Sequence, residues 1–268
     1  MVTSLEDLPP AAVVDAIRAN WAEFYLHLGN APVCDLSVGP HLGWLLTGVP
    51  DAFLNVVFRT DLPPDRAGDI VDEALQFFRS RHIARLSWWV ESSASGVGRL
   101  LESRGLIFNK GGTAMAANLR SGLDEAPAPA GLEIIRVDDR IALGKWIEVM
   151  RVGFGLPQEA QARLFELFVA VALEPPTHTY LALLDGRPVA TSQLFTGAGV
   201  AGIYNVTSLP ATRGRGIGTV ITRAALLEAR RQGHSLAILQ ASRLGYPVYR
   251  RLGFLDYGHL NNYQFSSD

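Results

Sequence analysis

The chain holds a single cysteine, Cys34, among 268 residues, so no internal disulfide framework can form. That suits a reducing compartment, where a lone thiol is expected as a small buried hydrophobe. A basic excess is also missing. Lys and Arg number 24 against 26 Asp and Glu, for a formal net charge of −2. This excludes the broad cationic footprint that nucleic acid demands, and any basic site must be local. No long apolar run occurs either. The longest, Leu167 to Leu173, falls far short of the ~20 residues of a spanning helix and is expected in a core helix, with no membrane partner. The six histidines lack ligand spacing, so no metal is expected. The N-terminal Met1–Asp7 is acidic without an apolar core, which predicts no secretory signal and a cytoplasmic location.

Order along the chain is α/β, and the length suits two cores. Asp124 to Gly131 carries prolines that favour an extended connector, which predicts domains at 1–122 and 132–268 joined by a linker at 123–131. In the first half, periodicity predicts helices near 10–28, 66–81 and 96–104, with strands near 42–47, 52–60, 84–91 and 106–119. In the second half a strand at 132–137 precedes a helix near 139–152 that Asp138 or Asp139 could cap. A further helix is expected from Pro157 to about Leu173. Strands at 178–184 and 187–196 flank the hairpin signal Asp185-Gly186. A strand at 201–207, a helix closed by Gly233, a strand at 235–241, a short helix at 245–252 and a strand at 254–265 complete the expectation.

The most informative stretch is Arg213-Gly214-Arg215-Gly216-Ile217-Gly218, at the start of the helix after strand 201–207. Glycines permit positive φ and close backbone approach, and first-turn N–H groups lack internal partners, so the junction suits a phosphate. Arg213 and Arg215 add cationic donors. A dinucleotide fold would place a carboxylate about 20 residues on, but that strand reads Ala237-Ile238-Leu239-Gln240-Ala241. The Walker pattern is absent too, since no Gly-Lys-Ser/Thr follows.

The two halves also echo each other in register. One offset of 148 residues pairs Gly105 with Gly253, Gly68 with Gly216, and Trp89-Val90 with Ala237-Ile238. That pattern predicts a duplication. Where the second half has Arg213, Gly218 and Tyr249, the first has Asp65, Ile70 and Leu101. A carboxylate repels a pyrophosphate, a branched side chain blocks backbone approach, and leucine cannot donate a proton.

Arg213-x-x-Gly216-x-Gly218, the strand Ile203-Tyr204-Asn205-Val206-Thr207 before it and Tyr249-x-x-x-Gly253-Phe254 after it resemble the GNAT superfamily of acyl-CoA-dependent N-acyltransferases, tandem-domain members above all. The likeness is strongest over about 201–257 and extends back to about 132. It implies two tandem GNAT-like domains, each a mostly antiparallel sheet flanked by helices, with a degenerate first copy. It implies acetyl-CoA as donor, its pyrophosphate on the loop Arg213 to Thr219 and its pantetheine beside Val206, Thr207 and Ser208. An unpaired strand edge would match the two pantetheine amides. By the same resemblance Tyr249 is the general acid for the departing thiolate, with packing in a short helix as the alternative; Tyr246 is the reserve acid, and packing or contact with the cofactor is its first expected role. The family often has asparagine and alanine where this chain has Ser242 and Gly245, so Ser242 is the expected cofactor contact at that turn.

The base stays open among Glu148, Glu159, Glu166 and a water chain, and one of Tyr204 and Asn205 must face the cleft by the strand's period of two. Trp44, Trp88 and Trp89 are expected in the first core, with a groove between the halves as the alternative place for one of them. The reading is acetyl transfer to a primary amine of a small molecule or peptide by direct attack in a ternary complex. The alternative is an acyl-CoA-binding sensor or scaffold, and homodimerisation is left open.

Overall fold

The computed structural model describes residues 8–91, 95–120, 123 and 127–266; the acidic N-terminus and residues 124–126 of the expected connector lie outside them. In chain order the elements are α1 (Pro10–Leu28), β1 (Asp35–Val38), β2 (Leu42–Leu46), β3 (Asn55–Thr60), α2 (Ala67–Ser80), β4 (Arg85–Glu91), α3 (Ser95–Ser103) and β5 (Ile107–Asn118). There follow β6 (Leu132–Val137), α4 (Arg140–Phe154), α5 (Ala160–Val169), β7 (Thr177–Leu184), β8 (Arg187–Gly197) and β9 (Val200–Ser208). The last are α6 (Ile217–Arg231), β10 (Leu236–Ala241), α7 (Tyr246–Arg251) and β11 (Leu255–Ser266). The mixed α/β class and mostly antiparallel pairing agree with the sequence reading.

Local signals account for several junctions. Asp139 caps α4 by accepting from Ile141 N and Ala142 N, both at 2.7 Å. Asp185 and Gly186, at φ 50° and 74°, form the tight turn between β7 and β8. Two expectations shift. Pro157 does not open α5; it accepts from Ala160 N at 3.2 Å in a preceding turn, and the helix begins at Ala160 and stops at Val169. Cys34 forms no disulfide and is half-buried, not buried. The strand β1 escapes sequence reading because four residues carry too little periodicity to register.

The compact units cut the chain elsewhere than at 123–131. One comprises Met1–Phe24 with Thr113–Gly258, the other Tyr25–Gly112 with His259–Asp268. In the larger unit the order is β5, β10, β9, β8, β7, β6, antiparallel except for the parallel pair β9 and β10. In the smaller it is β1, β2, β3, β4, β11, antiparallel except for the parallel pair β3 and β4.

The 148-residue echo explains this membership. It carries β5 (107–118) onto β11 (255–266), and β4 onto the stretch containing most of β10. Each half's last strand is used by the other half's equivalent neighbour: residues 113–118 pair with β10, and residues 260–266 with β4. The larger unit buries Ile217, Ile221, Ala225, Leu226 and Ala229 of α6 on one sheet face, beside Met115 and Ala117. On the opposite face, Val13 and Ile17 of α1 meet Ala114 and Ala116, as a strand's period of two requires. The smaller unit packs Trp88, Phe78, Leu75 and Leu101, with Trp44 against Phe77 and Phe78, so Trp44 and Trp88 take their expected core roles.

Candidate functional site

The glycine loop joins β9 to α6 through a 3-10 turn at Pro210–Thr212. Gly214 and Gly216 take φ 77° and 79°, the left-handed region that favours glycine, and Gly216 caps α6 without a side chain. The first ladder bonds run from Thr219 N and Val220 N to Gly216 O. Among the described residues, the N–H groups of Gly214 to Gly218 have no acceptor. Successive free N–H groups at a helix start form an anion-binding concavity. Nothing lies within 4 Å of a Cβ built at Gly214, so that corner is open.

The two arginines behave differently. Arg213 donates from Nε to Ser208 O at 3.2 Å and from a terminal nitrogen to Gly153 O at 3.1 Å. It braces the end of β9 to the C-terminal turn of α4. Gly153 lets that turn come close, since any Cβ there would collide with Thr207. Arg215 is exposed and carries no such bonds.

Beside the loop the sheet opens. Parallel pairing of β9 with β10 stops at Gly202 and Ile238, although β9 continues to Ser208 and β10 to Ala241. On that side Val206 and Ser208 face no strand among the described residues, although the Ser208 carbonyl is taken by Arg213, and the backbone groups of Thr207 point at Thr191 of β8. The regular alternation of the strand is interrupted at Tyr204 and Asn205, because β9 bulges there. Three steps of β9, Tyr204 to Thr207, match two steps of β8, Gln193 to Thr191. Asn205 absorbs the extra residue at φ 51°, a conformation asparagine tolerates better than most residues. Tyr204 is buried, donating to Asn20 Oδ1 at 2.7 Å and stacking on Phe24 at 3.9 Å. The Asn205 side chain instead donates to Gln193 Oε1 at 2.8 Å.

Tyr249 is 7% exposed on α7 and stands edge-on to Phe254. Burial pushes its phenol above the usual range, so it stays protonated at neutral pH. Its hydroxyl has no hydrogen-bond partner among the described residues. Gly245 makes room for the ring, because a Cβ there would come 2.7 Å from Tyr249 Cε2. Ser242 is spent locally: its Oγ accepts from Gly245 N at 3.1 Å and its carbonyl from Tyr246 N at 2.9 Å, starting α7. The Tyr246 hydroxyl donates to Asp256 at 2.8 Å, and that bond raises its pKa. Glu148, Glu159 and Glu166 are all exposed, and Glu166 pairs with Arg163 at 3.2 Å. Sequence reasoning missed Gln193, a buried polar residue whose only signal was its place on β8 opposite the bulge. Among the described residues no group of three His, Cys, Asp or Glu side chains could hold a metal, and no helix is long and apolar enough to cross a membrane.

Residues 143–256 match the family model described as an acetyltransferase (GNAT) domain. The chain is similar in structure to a GCN5-related N-acetyltransferase from Sphaerobacter thermophilus, at 18% identity and a TM-score of 0.70, covering 97% of this chain and 94% of that one. It is similar to a GCN5-related N-acetyltransferase from Kribbella flavida at 19% identity and a TM-score of 0.68, covering 93% and 96%. A tandem GNAT protein from the clavulanic acid biosynthesis pathway aligns at 16% identity and a TM-score of 0.61, covering 96% and 94%. No curated protein matches the chain.

Proposed function

From the premise that this chain carries a GNAT acetyltransferase domain within residues 143–256, we propose that its larger unit binds acetyl-CoA and transfers the acetyl group to a primary amine of a small molecule or peptide by direct attack in a ternary complex. The observation that carries the reading is the run of acceptor-free N–H groups from Gly214 to Gly218, opening beside the strand edge at Val206–Ser208. The residues fit the donor's chemistry: the cradle suits a pyrophosphate, and the free edge suits two amides. Bound acetyl-CoA supplies a thioester whose carbonyl carbon accepts the amine nitrogen and whose C–S bond breaks.

The chain's own residues do the rest. Gly214 and Gly216 hold the cradle in shape, Arg215 offers a free guanidinium beside it, and Arg213 keeps β9 and α4 in place through Ser208 and Gly153. Thr219 and Ser242 lie at the ends of the two turns that border the donor. Tyr249 delivers its proton to the departing sulfur. Its raised pKa has a definite sign: the phenol is active when protonated, so its ionisation does not reduce the rate below about pH 10. Water takes the proton released by the amine, since Glu148, Glu159 and Glu166 are all solvated.

The test is free-thiol release with a panel of primary amines. Tyr249→Phe is expected to lower kcat about 10²- to 10⁴-fold with unchanged acetyl-CoA affinity. An unchanged kcat removes the tyrosine from the chemistry. Tight acetyl-CoA binding with no turnover on amino acids, polyamines, amino sugars or peptides moves the assignment to an acyl-CoA sensor.

A further inference from the structure

Behind the bulge of β9 the buried polar side chains form one chain of fixed direction. Ala172 O can only accept, so Thr179 Oγ1 donates its proton there, at 2.7 Å. That hydroxyl has only lone pairs left for Gln193, which therefore turns its Nε2 toward Thr179 at 3.2 Å. The Gln193 oxygen then faces Asn205 and accepts from Nδ2 at 2.8 Å. The amide orientation of Asn205 is thus dictated from a backbone carbonyl three groups away. Thr179 and Gln193 are fully buried, which gives each bond in the chain weight. Asn205 is half-buried, and its own carbonyl accepts from Thr191 Oγ1 at 2.7 Å. At the end of the chain, Asn205 Oδ1 has no partner among the described residues and is not among the buried unpartnered atoms, so it reaches solvent.

We propose that Gln193 is a positioning residue that holds the Asn205 carboxamide with Oδ1 outward, and that this oxygen accepts an N–H of the substrate amine. The inference deepens the acetyl-transfer reading and rests on it, because Asn205 directly precedes the strand segment assigned to the donor. A neutral primary amine has two N–H groups and one lone pair. Fixing one N–H on a carbonyl oxygen steers the lone pair toward the acyl carbon, and a tertiary amine offers nothing to hold. A flipped Asn205 would present Nδ2 instead and repel the N–H.

The first readout needs no activity. In NMR of the free protein, the Asn205 side-chain amide is expected to exchange slowly with solvent. Gln193→Leu should abolish that protection, whereas Gln193→Glu, which keeps an oxygen toward Asn205, should retain it. Fast exchange in the wild type, or protection that survives Gln193→Leu, overturns the positioning role. The second readout is steady-state kinetics with spermidine, glycinamide and glucosamine as acceptors. Gln193→Leu should raise KM for each acetylated probe about tenfold, the size of one well-placed hydrogen bond. Asn205→Gly keeps a left-handed backbone without the side chain and should show the same rise, with the double variant no worse than either. Acetyl-CoA affinity should stay within about twofold throughout, since the cradle is untouched. Losses that multiply in the double variant overturn the shared pathway. If the wild type binds acetyl-CoA and acetylates none of the three probes, the substrate half of the proposal falls together with the transfer reading, while the NMR result still decides the role of Gln193.

Discussion

Two helix starts in this molecule share a register and differ in conformation. In the larger unit Gly214 and Gly216 are left-handed, and α6 begins after them at Ile217. At the matching positions of the smaller unit stand Arg66, at φ −120°, and Gly68, already inside α2. The earlier start of α2 engages the N–H groups that stay free in α6: Ile70 N donates to Arg66 O at 3.1 Å. Ile70 is also buried, where its counterpart is Gly218. The difference teaches that here the first-turn N–H groups stay free where the glycines lie just outside the helix, and are engaged where the helix starts earlier. Within the helix, Gly68 merely allows Arg104 to pass nearby on its way to Asp72.

Grafting first-half residues onto the second half breaks this comparison in graded steps. The largest effect is expected from Gly245→Val, which copies Val97. A side chain there pushes the Tyr249 ring aside, and a misplacement of the order of 1 Å should lower kcat about 10²-fold in the thiol-release assay. Next is Gly218→Ile, which copies Ile70 and should weaken acetyl-CoA about tenfold by calorimetry while kcat at saturation changes less. The reciprocal Ile70→Ala should create no site and should cost about 2–5 kcal/mol in a denaturant titration.

The smallest effect concerns acid. Two hydrogen bonds from Arg231 to Glu228, at 2.7 and 2.8 Å, lead the causes that pull its carboxyl from 4.5 to about 2. The group adds stability above pH 4.5 that is lost as pH falls toward 2, so Glu228→Gln should flatten acid unfolding across that window. Asp72 is also lowered, first by its hydrogen bond from Arg104, but it lies at the surface. Asp72→Asn should move the same curve less, and less again in high salt.

Much of this was legible in the sequence because it is local. The turn at Asp185-Gly186, the Asp139 cap, the order of elements and the glycine loop each follow from residues within a few positions of one another. What stayed hidden depends on partners far along the chain. Residues 113–118 and 260–266 read as strands, but nothing in them states that each pairs with a strand of the other half. The bulge at Asn205 was hidden for the same reason, since it is a mismatch between two strands. Arg213 reads as a phosphate donor next to glycines, yet its side chain reaches Gly153, sixty positions earlier, which no spacing rule contains.

The central claim is that one half holds a donor cradle and the other does not. Calorimetric titration of the whole chain with acetyl-CoA tests it most directly. The account predicts one site per chain, weakened by Gly218→Ile and indifferent to Ile70→Ala in a folded variant. Two comparable sites, or a single site that survives Gly218→Ile and disappears with Ile70→Ala, would contradict it.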